Sequence, residues 1–249
     1  MVSPEFLLYV ITGFIAQIID GALGMAYGVT ASSLLLALGL PPASASATVH
    51  AAECFTTGAS AISHRAFGNV NTLLFKRLLI PGIIGAILGA YILSNFPGDA
   101  LKPYVAAYLL IMGGVIIYRA YRKVATREVT THLIPLGFIG ALMDAMGGGG
   151  WGPIVASTLI ARGNETRFTI GSVNAAEFFV TLSASLTFIL TLGLSNWQII
   201  VGLALGGLVA APIGAWACTR IPVKPFMIFV GLLVILLSVR TIALFFHWV

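Results

Sequence analysis

Two long segments of this chain repeat one another without a gap. Residues 13–57 align with residues 137–181 at a constant offset of 124, and 16 of the 45 aligned positions are identical. The aligned region includes a Gly-rich segment in each copy, GALGMAYG at 21–28 and GGGGWG at 147–152. Self-similarity over this length predicts two homologous halves, 1–125 and 126–249, joined by a basic linker.

The composition excludes a soluble core. Of the 249 residues, 59% are hydrophobic and only 8% are charged, which indicates an all-α integral membrane protein and a single membrane domain. Each half has three plain apolar segments of the roughly 20 residues that a span needs. These segments are 42–64, 74–95 and 103–121 in the first half, and 168–192, 197–218 and 225–246 in the second.

The Gly-rich segments interrupt shorter apolar runs of about 12 to 16 residues. Such runs are typical of re-entrant half-helices, whose irregular tip is tolerated at membrane depth where protein covers it. We therefore expect each half to form a re-entrant helical hairpin followed by three transmembrane helices. The N-terminus lacks the basic residues of a cleaved signal peptide, so we expect its apolar segment to stay in the mature protein.

The distribution of positive charge favours this hairpin arrangement. It places all but two of the Lys and Arg residues on one face, which the positive-inside rule makes cytoplasmic. Lys102 lies opposite, and Arg240 falls late in the last segment. The residues on the basic face are Arg65, Lys76, Arg77, Arg119, Arg122, Lys123, Arg127, Arg162, Arg167, Arg220 and Lys224.

An odd number of crossings per half inverts the second half relative to the first, and inverted-topology repeats are typical of secondary transporters. We expect a multi-pass protein of the plasma membrane, the inner membrane in a bacterium, with both termini outside.

The two hairpin tips are the candidate substrate site. Glycine lacks the Cβ that would keep a ligand from the backbone, and each tip precedes a helix N-terminus with partial positive charge. Because the hairpins enter from opposite faces, we expect the tips to approach one another and bind a small anion. The alternative is that these glycines only permit tight helix packing. The tip residues are Gly24, Tyr27 and Gly28 in the first half, and Gly148, Gly149, Gly150 and Trp151 in the second.

Tyr27 and Trp151 occupy matching tip positions. They are expected either to line the substrate site or to pack between helices, which is the more common role of aromatic residues.

Four carboxyl groups lie inside apolar segments, where each ionised group costs about 3 kcal/mol at mid-bilayer. Asp20 and Asp144 precede the helix breaks, so they either cap the following half-helix or couple transport to a proton or sodium ion. Glu53 and Glu177 lie in mid-segment. They are the other candidates for coupling.

Each glutamate belongs to a polar helical face. His50 or Asn174 stands three residues before it, and Thr57 or Thr181 four residues after it. We expect this face to line the transport cavity, although an interhelical hydrogen-bonded cluster is the alternative. His50 could carry a proton or hold an anion, or serve as a packing residue.

Other classes of site are not indicated. The 13 Lys and Arg residues form no patch that could track nucleic acid. Cys54 and Cys218 lie apart in apolar surroundings without a CxxC motif, so we expect packing residues and neither a metal site nor a cofactor. His64, beside Arg65 at a predicted helix end, is expected to be an interfacial anchor.

Several of these segments resemble the TauE/SafE family of sulfite and organosulfonate exporters. The resemblance covers nearly the whole chain and is carried by residues 13–28, 47–70, 81–90 and 137–154, including the runs HAAE and SHRAFGNV. The first half departs from the family pattern, with Val29 where the second half has Pro153. The resemblance implies transport of small sulfur-containing anions, usually outward.

We therefore predict a secondary transporter that works by alternating access around the two tips. The nearest alternative is a proton- or sodium-linked cation carrier that uses the four carboxylates. A channel is less favoured. An enzyme is not expected, since neither HExxH nor GxSxG occurs, and no GxxxxGK[ST] motif for ATP-driven pumping is present.

Overall fold

The computed structural model describes residues 4–96, 98–121, 131–218, 220 and 224–247. Within these ranges every secondary-structure element is a helix, which confirms the all-α prediction. Arg122, Lys123 and Arg127 of the predicted basic linker lie outside the described residues.

The described residues form ten helices in two matching sets of five. The first set is α1 (Pro4–Leu23), α2 (Tyr27–Ala37), α3 (Pro42–Ala66), α4 (Thr72–Ser94) and α5 (Gly98–Ala120). The second is α6 (Leu133–Gly147), α7 (Trp151–Ala161), α8 (Thr166–Leu192), α9 (Trp197–Ala217) and α10 (Lys224–Phe245). The first six residues of α7, Trp151–Ala156, form a π-helix. Helices α2 and α7, like α3 and α8, begin at the offset of 124 found in the sequence.

Six of the helices are long and apolar enough to cross a membrane, namely α1, α4, α5, α8, α9 and α10. Five of them were predicted as plain spans. α1 is different, because it continues for 20 residues from a proline at its first turn, whereas the sequence predicted a half-helix of about 12 to 16 residues. α3 has the length of a span, but its polar face keeps it outside this set.

Helices of one set pack against helices of the other set. α1 of the first half packs along α9 of the second, and α6 of the second packs along α4 of the first. Glycines make these contacts close: a Cβ on Gly13 would collide with the backbone of Leu203, and one on Gly85 would collide with that of Phe138. Small residues at helix interfaces are how membrane helices approach one another.

Two pairs of equivalent helices, α3 with α8 and α5 with α10, pack antiparallel. Along α3 and α8, Thr57 contacts Thr181 and Ser60 contacts Asn174, so the numbering rises along one helix and falls along the other. α5 and α10 pack together with the same opposed sense, since Gly113 lies beside Ile235 and Ile117 beside Gly231.

Large apolar side chains cover the outside of this bundle, as a lipid-facing surface requires. Leu190 is 86% exposed, and many Leu, Ile and Phe side chains of α4, α5, α9 and α10 are also exposed. Polar residues of α3 and α8 are buried instead, including His50, Glu53 and Asn174. This pattern is the reverse of a soluble protein and supports a multi-pass membrane protein.

Candidate functional site

Each half contains a helix break at the position that the sequence predicted. α1 ends before Gly24 and α6 ends before Gly148, and both glycines adopt a left-handed φ, 67° and 68°. Only a residue without a Cβ takes this conformation at little cost. Ala26, in the first break, has a φ of 149°. Strained backbone of this kind tends to occur at functional sites.

The two breaks contact each other directly. A Cβ on Gly28 would lie 2.8 Å from the Cα of Gly149 and 3.0 Å from the carbonyl oxygen of Gly148. A Cβ on Gly152 would lie 2.8 Å from the Cβ of Met25, and the Ser32 hydroxyl donates a hydrogen bond to the Gly148 carbonyl. These glycines therefore allow the breaks to pack tightly together. Tight packing is the alternative to ligand binding that the glycine spacing also allows.

Asp144 caps the helix that follows the second break. Its Oδ1 accepts hydrogen bonds from the backbone N–H groups of Gly150 and Trp151, at 2.6 and 3.0 Å. Asp20 accepts from the backbone N–H groups of Ala26 and Tyr27, which are the equivalent positions. Both aspartates thus have the capping geometry, and they occupy some of the N–H groups that were expected to face an anion.

His50 connects α3 to the second break. Its Nε2 lies 3.2 Å from Oδ2 of Asp144, and its Nδ1 lies 2.8 Å from the carbonyl oxygen of Ser46. A carbonyl only accepts, so Nδ1 carries a proton. The second contact is then a hydrogen bond either from an imidazolium to the carboxylate of Asp144 or from its carboxylic acid to a neutral ring. In either form, His50 and Asp144 share one proton.

Asn174, the repeat equivalent of His50, has different partners. Its Oδ1 accepts from the Ser60 hydroxyl at 2.7 Å, and its Nδ2 donates to the Ile170 carbonyl at 3.3 Å. Among the described residues, Oδ2 of Asp20 has no hydrogen-bond partner although it is buried. The first break therefore has an unsatisfied carboxyl oxygen where the second has a histidine contact.

The two glutamates lie next to the breaks. Oε1 of Glu53 would be 3.2 Å from a Cβ on Gly28, so this carboxyl reaches the contact between the breaks. Oε2 of Glu177 is buried and has no hydrogen-bond partner within the part of the chain that the structure describes. The two glutamates and two aspartates are close enough to repel one another electrostatically. Within the described ranges, no three His, Cys, Asp or Glu residues are arranged to hold a metal ion.

A polar face on α3 meets its equivalent on α8. The hydroxyl oxygens of Thr57 and Thr181 lie 3.4 Å apart, and the Thr57 hydroxyl donates to the Glu53 carbonyl at 2.5 Å. With the Ser60–Asn174 hydrogen bond, these contacts form an interhelical polar cluster. The predicted one-sided placement of His50, Glu53 and Thr57 on α3 matches the buried face of this helix.

Both tip aromatics pack between helices. The Tyr27 hydroxyl donates to the Leu203 carbonyl and the Trp151 indole N–H to the Val173 carbonyl, each at 3.1 Å. The rings lie against Gly207 of α9 and Gly82 of α4. These contacts fix the helices that begin at Tyr27 and Trp151, as the packing alternative requires.

Tyr108 and Gln17 were not predicted as site residues. The Tyr108 hydroxyl donates to the Gly149 carbonyl at 3.2 Å, and its ring packs beside Gly147. Nothing in the apolar run around Tyr108 marks this role. Gln17 is buried, and neither side-chain polar atom has a partner among the described residues. Its place within an apolar segment was a usable signal.

His64 does not sit at an exposed interface. It is fully buried and its Nδ1 lies 3.2 Å from Nδ2 of Asn69, so the prediction of an interfacial anchor was wrong. The reason is that the loop after α3 folds back over this side chain, and Asn69 also contacts α8 through Arg167.

Comparison with known proteins connects this architecture to transport. The family model described as "Sulfite exporter TauE/SafE" matches residues 9–241. The chain is 43% identical over 248 residues to "Probable membrane transporter protein YtnM" of Bacillus subtilis (strain 168), covering 96% of this chain and 83% of that protein. It is 26% identical over 253 residues to "Probable membrane transporter protein ORF9" of Sinorhizobium sp, covering 94% and 90%. No solved structure matches the chain.

Proposed function

Because this chain belongs to the TauE/SafE sulfite exporter family, we propose that it is a secondary transporter that carries sulfite or short organosulfonates out of the cell. Membrane transport itself follows from the family and from relatives described as membrane transporters. The names of these relatives indicate a transporter rather than an enzyme. The substrate and the direction are the proposal.

The observation that carries the proposal is the contact between two helix breaks at Gly28 and Gly149. Transporters with repeated architecture place their substrate where discontinuous helices meet. The antiparallel course of α3 and α8, and of α5 and α10, supports inverted repeats. Rocking one set of helices against the other would separate the breaks and make room for an anion between them.

Hydroxyl and backbone groups around the breaks suit a weakly held oxyanion. Thr57, Thr181 and Ser32 place hydroxyl groups at the crossing of α3 and α8 and at the second break, where they donate to the carbonyl oxygens of Glu53, Phe178 and Gly148. Separation of the breaks would have to free these hydroxyls before they could donate to an anion. His50 adds a group that is cationic when doubly protonated. Hydroxyl and N–H donors can bind sulfur oxyanions without a permanent cation, which favours release on the far side.

We further propose that protons couple to transport through the buried carboxyls. Asp20 and Glu177 each have a carboxyl oxygen that is buried without a hydrogen-bond partner among the described residues. An ionised group in that position is costly in hydrocarbon surroundings, whereas a bound proton or cation removes the cost. The same observation favours the second candidate function, a proton- or sodium-linked cation carrier.

Ligand-induced thermal stabilisation of the purified protein tests the proposal. The panel contains sulfite, sulfate, thiosulfate, sulfoacetate, isethionate, taurine, acetate and chloride at several pH values, with and without sodium. A ligand that binds only the folded protein raises its apparent stability by mass action. Selective stabilisation by sulfite or a sulfonate is expected. Stabilisation by sodium or acid alone would overturn the anion proposal in favour of the cation carrier.

A further inference from the structure

A cavity of about 210 Å³ lies where the end of α5 meets the start of α10. Its described lining includes two basic residues and no acidic one. Lys224 is exposed and Arg119 is partly exposed, whereas Met25 and Ile170 are buried. The cations therefore stand at the mouth of this cavity, which we call the Lys224 cavity, and apolar residues form its floor. Other lining residues are Leu23, Ser157 and Thr166.

The floor of the Lys224 cavity reaches the first helix break. Leu23 and Met25 flank Gly24, which has the left-handed conformation of the break. Met25 also lies against Gly152 of the second break. The cavity thus leads from a basic mouth to the point where the two breaks touch.

A smaller cavity of about 120 Å³ occupies the equivalent place at the other end of α5 and α10. It is lined by Lys102, which matches Lys224 in the repeat, and by Ala37, which matches Ala161 at the offset of 124. Ala161 is partly exposed, but Ala37 is buried. Ala161 is thus more accessible than its repeat equivalent, Ala37.

Arg240 contacts the end of α2 at Ala37. Its guanidinium donates a hydrogen bond of 2.6 Å to the carbonyl oxygen of Ala37, the last residue of α2. This contact joins α10 to the end of the helix that follows the first break. The equivalent position in α5 is Tyr118, which carries no cation and is 59% exposed. Among the described residues, the Arg240–Ala37 contact, which we call the clasp, therefore has no cationic equivalent on the Lys224 side.

We propose that the Lys224 cavity is an entry vestibule that binds small oxyanions through Arg119 and Lys224, and that Arg240 holds the equivalent passage closed. The identity of the anion as transported substrate rests on the proposed function. A cleft lined by charges of one sign concentrates ions of opposite sign and accelerates their arrival. Lys224 is held over the ring of Tyr121, 4.1 Å from its centroid, which keeps the ammonium near the mouth.

Thiol labelling tests the vestibule. Cys54 and Cys218 are first replaced by alanine, and A161C and A37C are then made separately in that background. Each is treated with an anionic sulfonate-bearing methanethiosulfonate and with its cationic trimethylammonium counterpart. Each rate at Ala161→Cys is divided by the rate of the same reagent with a free small-molecule thiol, because a thiolate reacts faster with a cationic reagent. We expect this normalised rate to be about tenfold higher for the anionic reagent than for the cationic one, because the mouth is basic. Lys224→Gln should reduce this preference, and Lys102→Gln should leave it unchanged.

The matched site tests the clasp. Ala37→Cys should resist both reagents while Arg240 is present and react after Arg240→Gln, whereas Arg240→Lys should preserve part of the protection. Size-exclusion chromatography confirms that each variant is folded. Equal normalised rates for the two reagents at Ala161→Cys, or no reaction there, would overturn the vestibule. Rapid reaction of Ala37→Cys with Arg240 intact would overturn the clasp.

The labelling result is independent of the transported species. If sulfite and sulfonate flux is absent but the anion preference at Ala161→Cys holds, the proposed substrate fails and the vestibule stands. If flux is present but the preference is absent, the vestibule fails and the proposed function stands. As a further check, Lys224→Gln should raise the KM for the anion several-fold with little change in kcat when substrate is supplied on the Lys224 side.

Discussion

His50 Nε2 lies 3.2 Å from Asp144 Oδ2, whereas Asn174, at the same position of the second repeat, is hydrogen bonded to Ser60. The two halves are therefore alike in backbone and different in protonation chemistry. One break has a histidine that shares a proton with its capping aspartate. The other has a capping aspartate with a buried oxygen that has no hydrogen-bond partner among the described residues. The two breaks therefore differ in the polar partners of their capping aspartates.

Replacing His50 by asparagine would make the two repeats alike at this position. We expect His50→Asn to flatten the pH dependence of transport between about pH 5 and 8, the range in which histidine changes charge. The measurement is initial flux into proteoliposomes across that range. Asn174→His serves as the control, because it adds a histidine without removing the contact to Asp144. If the pH profile of flux for His50→Asn matches that of the wild type, His50 is a packing residue with no part in the pH dependence.

Asp144 stabilises the start of α7. We expect Asp144→Ala to lower the free energy of unfolding by about 1–2 kcal/mol, since it leaves the Gly150 and Trp151 N–H groups without their cap. Asp144→Asn retains an acceptor, so a smaller loss is expected. Equilibrium unfolding in detergent measures both. Equal stability of wild type and Asp144→Ala would contradict the capping role.

Gly149 cannot accept a side chain without moving the first break. A Cβ there would collide with the backbone of Val29, so Gly149→Ala and Gly149→Leu should abolish transport and lower the melting temperature, with membrane insertion intact. Gly114→Ala is the matched control, because a Cβ at Gly114 would meet nothing within 4 Å. Transport by Gly149→Leu at the wild-type rate would contradict a central role for the contact between the breaks.

Glu53 lies beside this contact and should respond to protons. We expect Glu53→Gln to shift the pH profile of flux, because the amide cannot exchange the proton that the carboxyl can. Glu165, an exposed residue at the start of α8, provides the comparison, and Glu165→Gln should leave the profile unchanged. An unaltered profile for Glu53→Gln would restrict this residue to a structural role.

The helix breaks could be predicted from sequence because glycine spacing and the repeat both point to them. Gly24 and Gly148 end α1 and α6, and Asp20 and Asp144 precede them by four residues in each half. The length of α1 was underestimated because its apolar run continues upstream to Pro4. Helix ends depend on local residue patterns, so they are the structural features that a sequence predicts best.

Partners that come from distant helices were not predictable in this way. Tyr108 reaches Gly149 from α5, and Arg240 reaches Ala37 from α10, although neither belongs to a local motif. The prediction that Tyr27 and Trp151 wall a cavity was one of two readings, and their contacts with Leu203 and Val173 match the packing one. Such contacts depend on which helices of one half pack against helices of the other. Sequence periodicity alone does not specify this packing.

Counterflow in proteoliposomes tests the central claim most directly. Vesicles that contain the purified protein are loaded with unlabelled sulfite or a short sulfonate, and uptake of the radiolabelled anion is followed over time. The account predicts saturable uptake that depends on internal substrate and is lost in Gly149→Leu but retained in Gly114→Ala. The account would be contradicted if no sulfur-containing anion is taken up and the only transport observed is that of sodium ions or protons down their gradient.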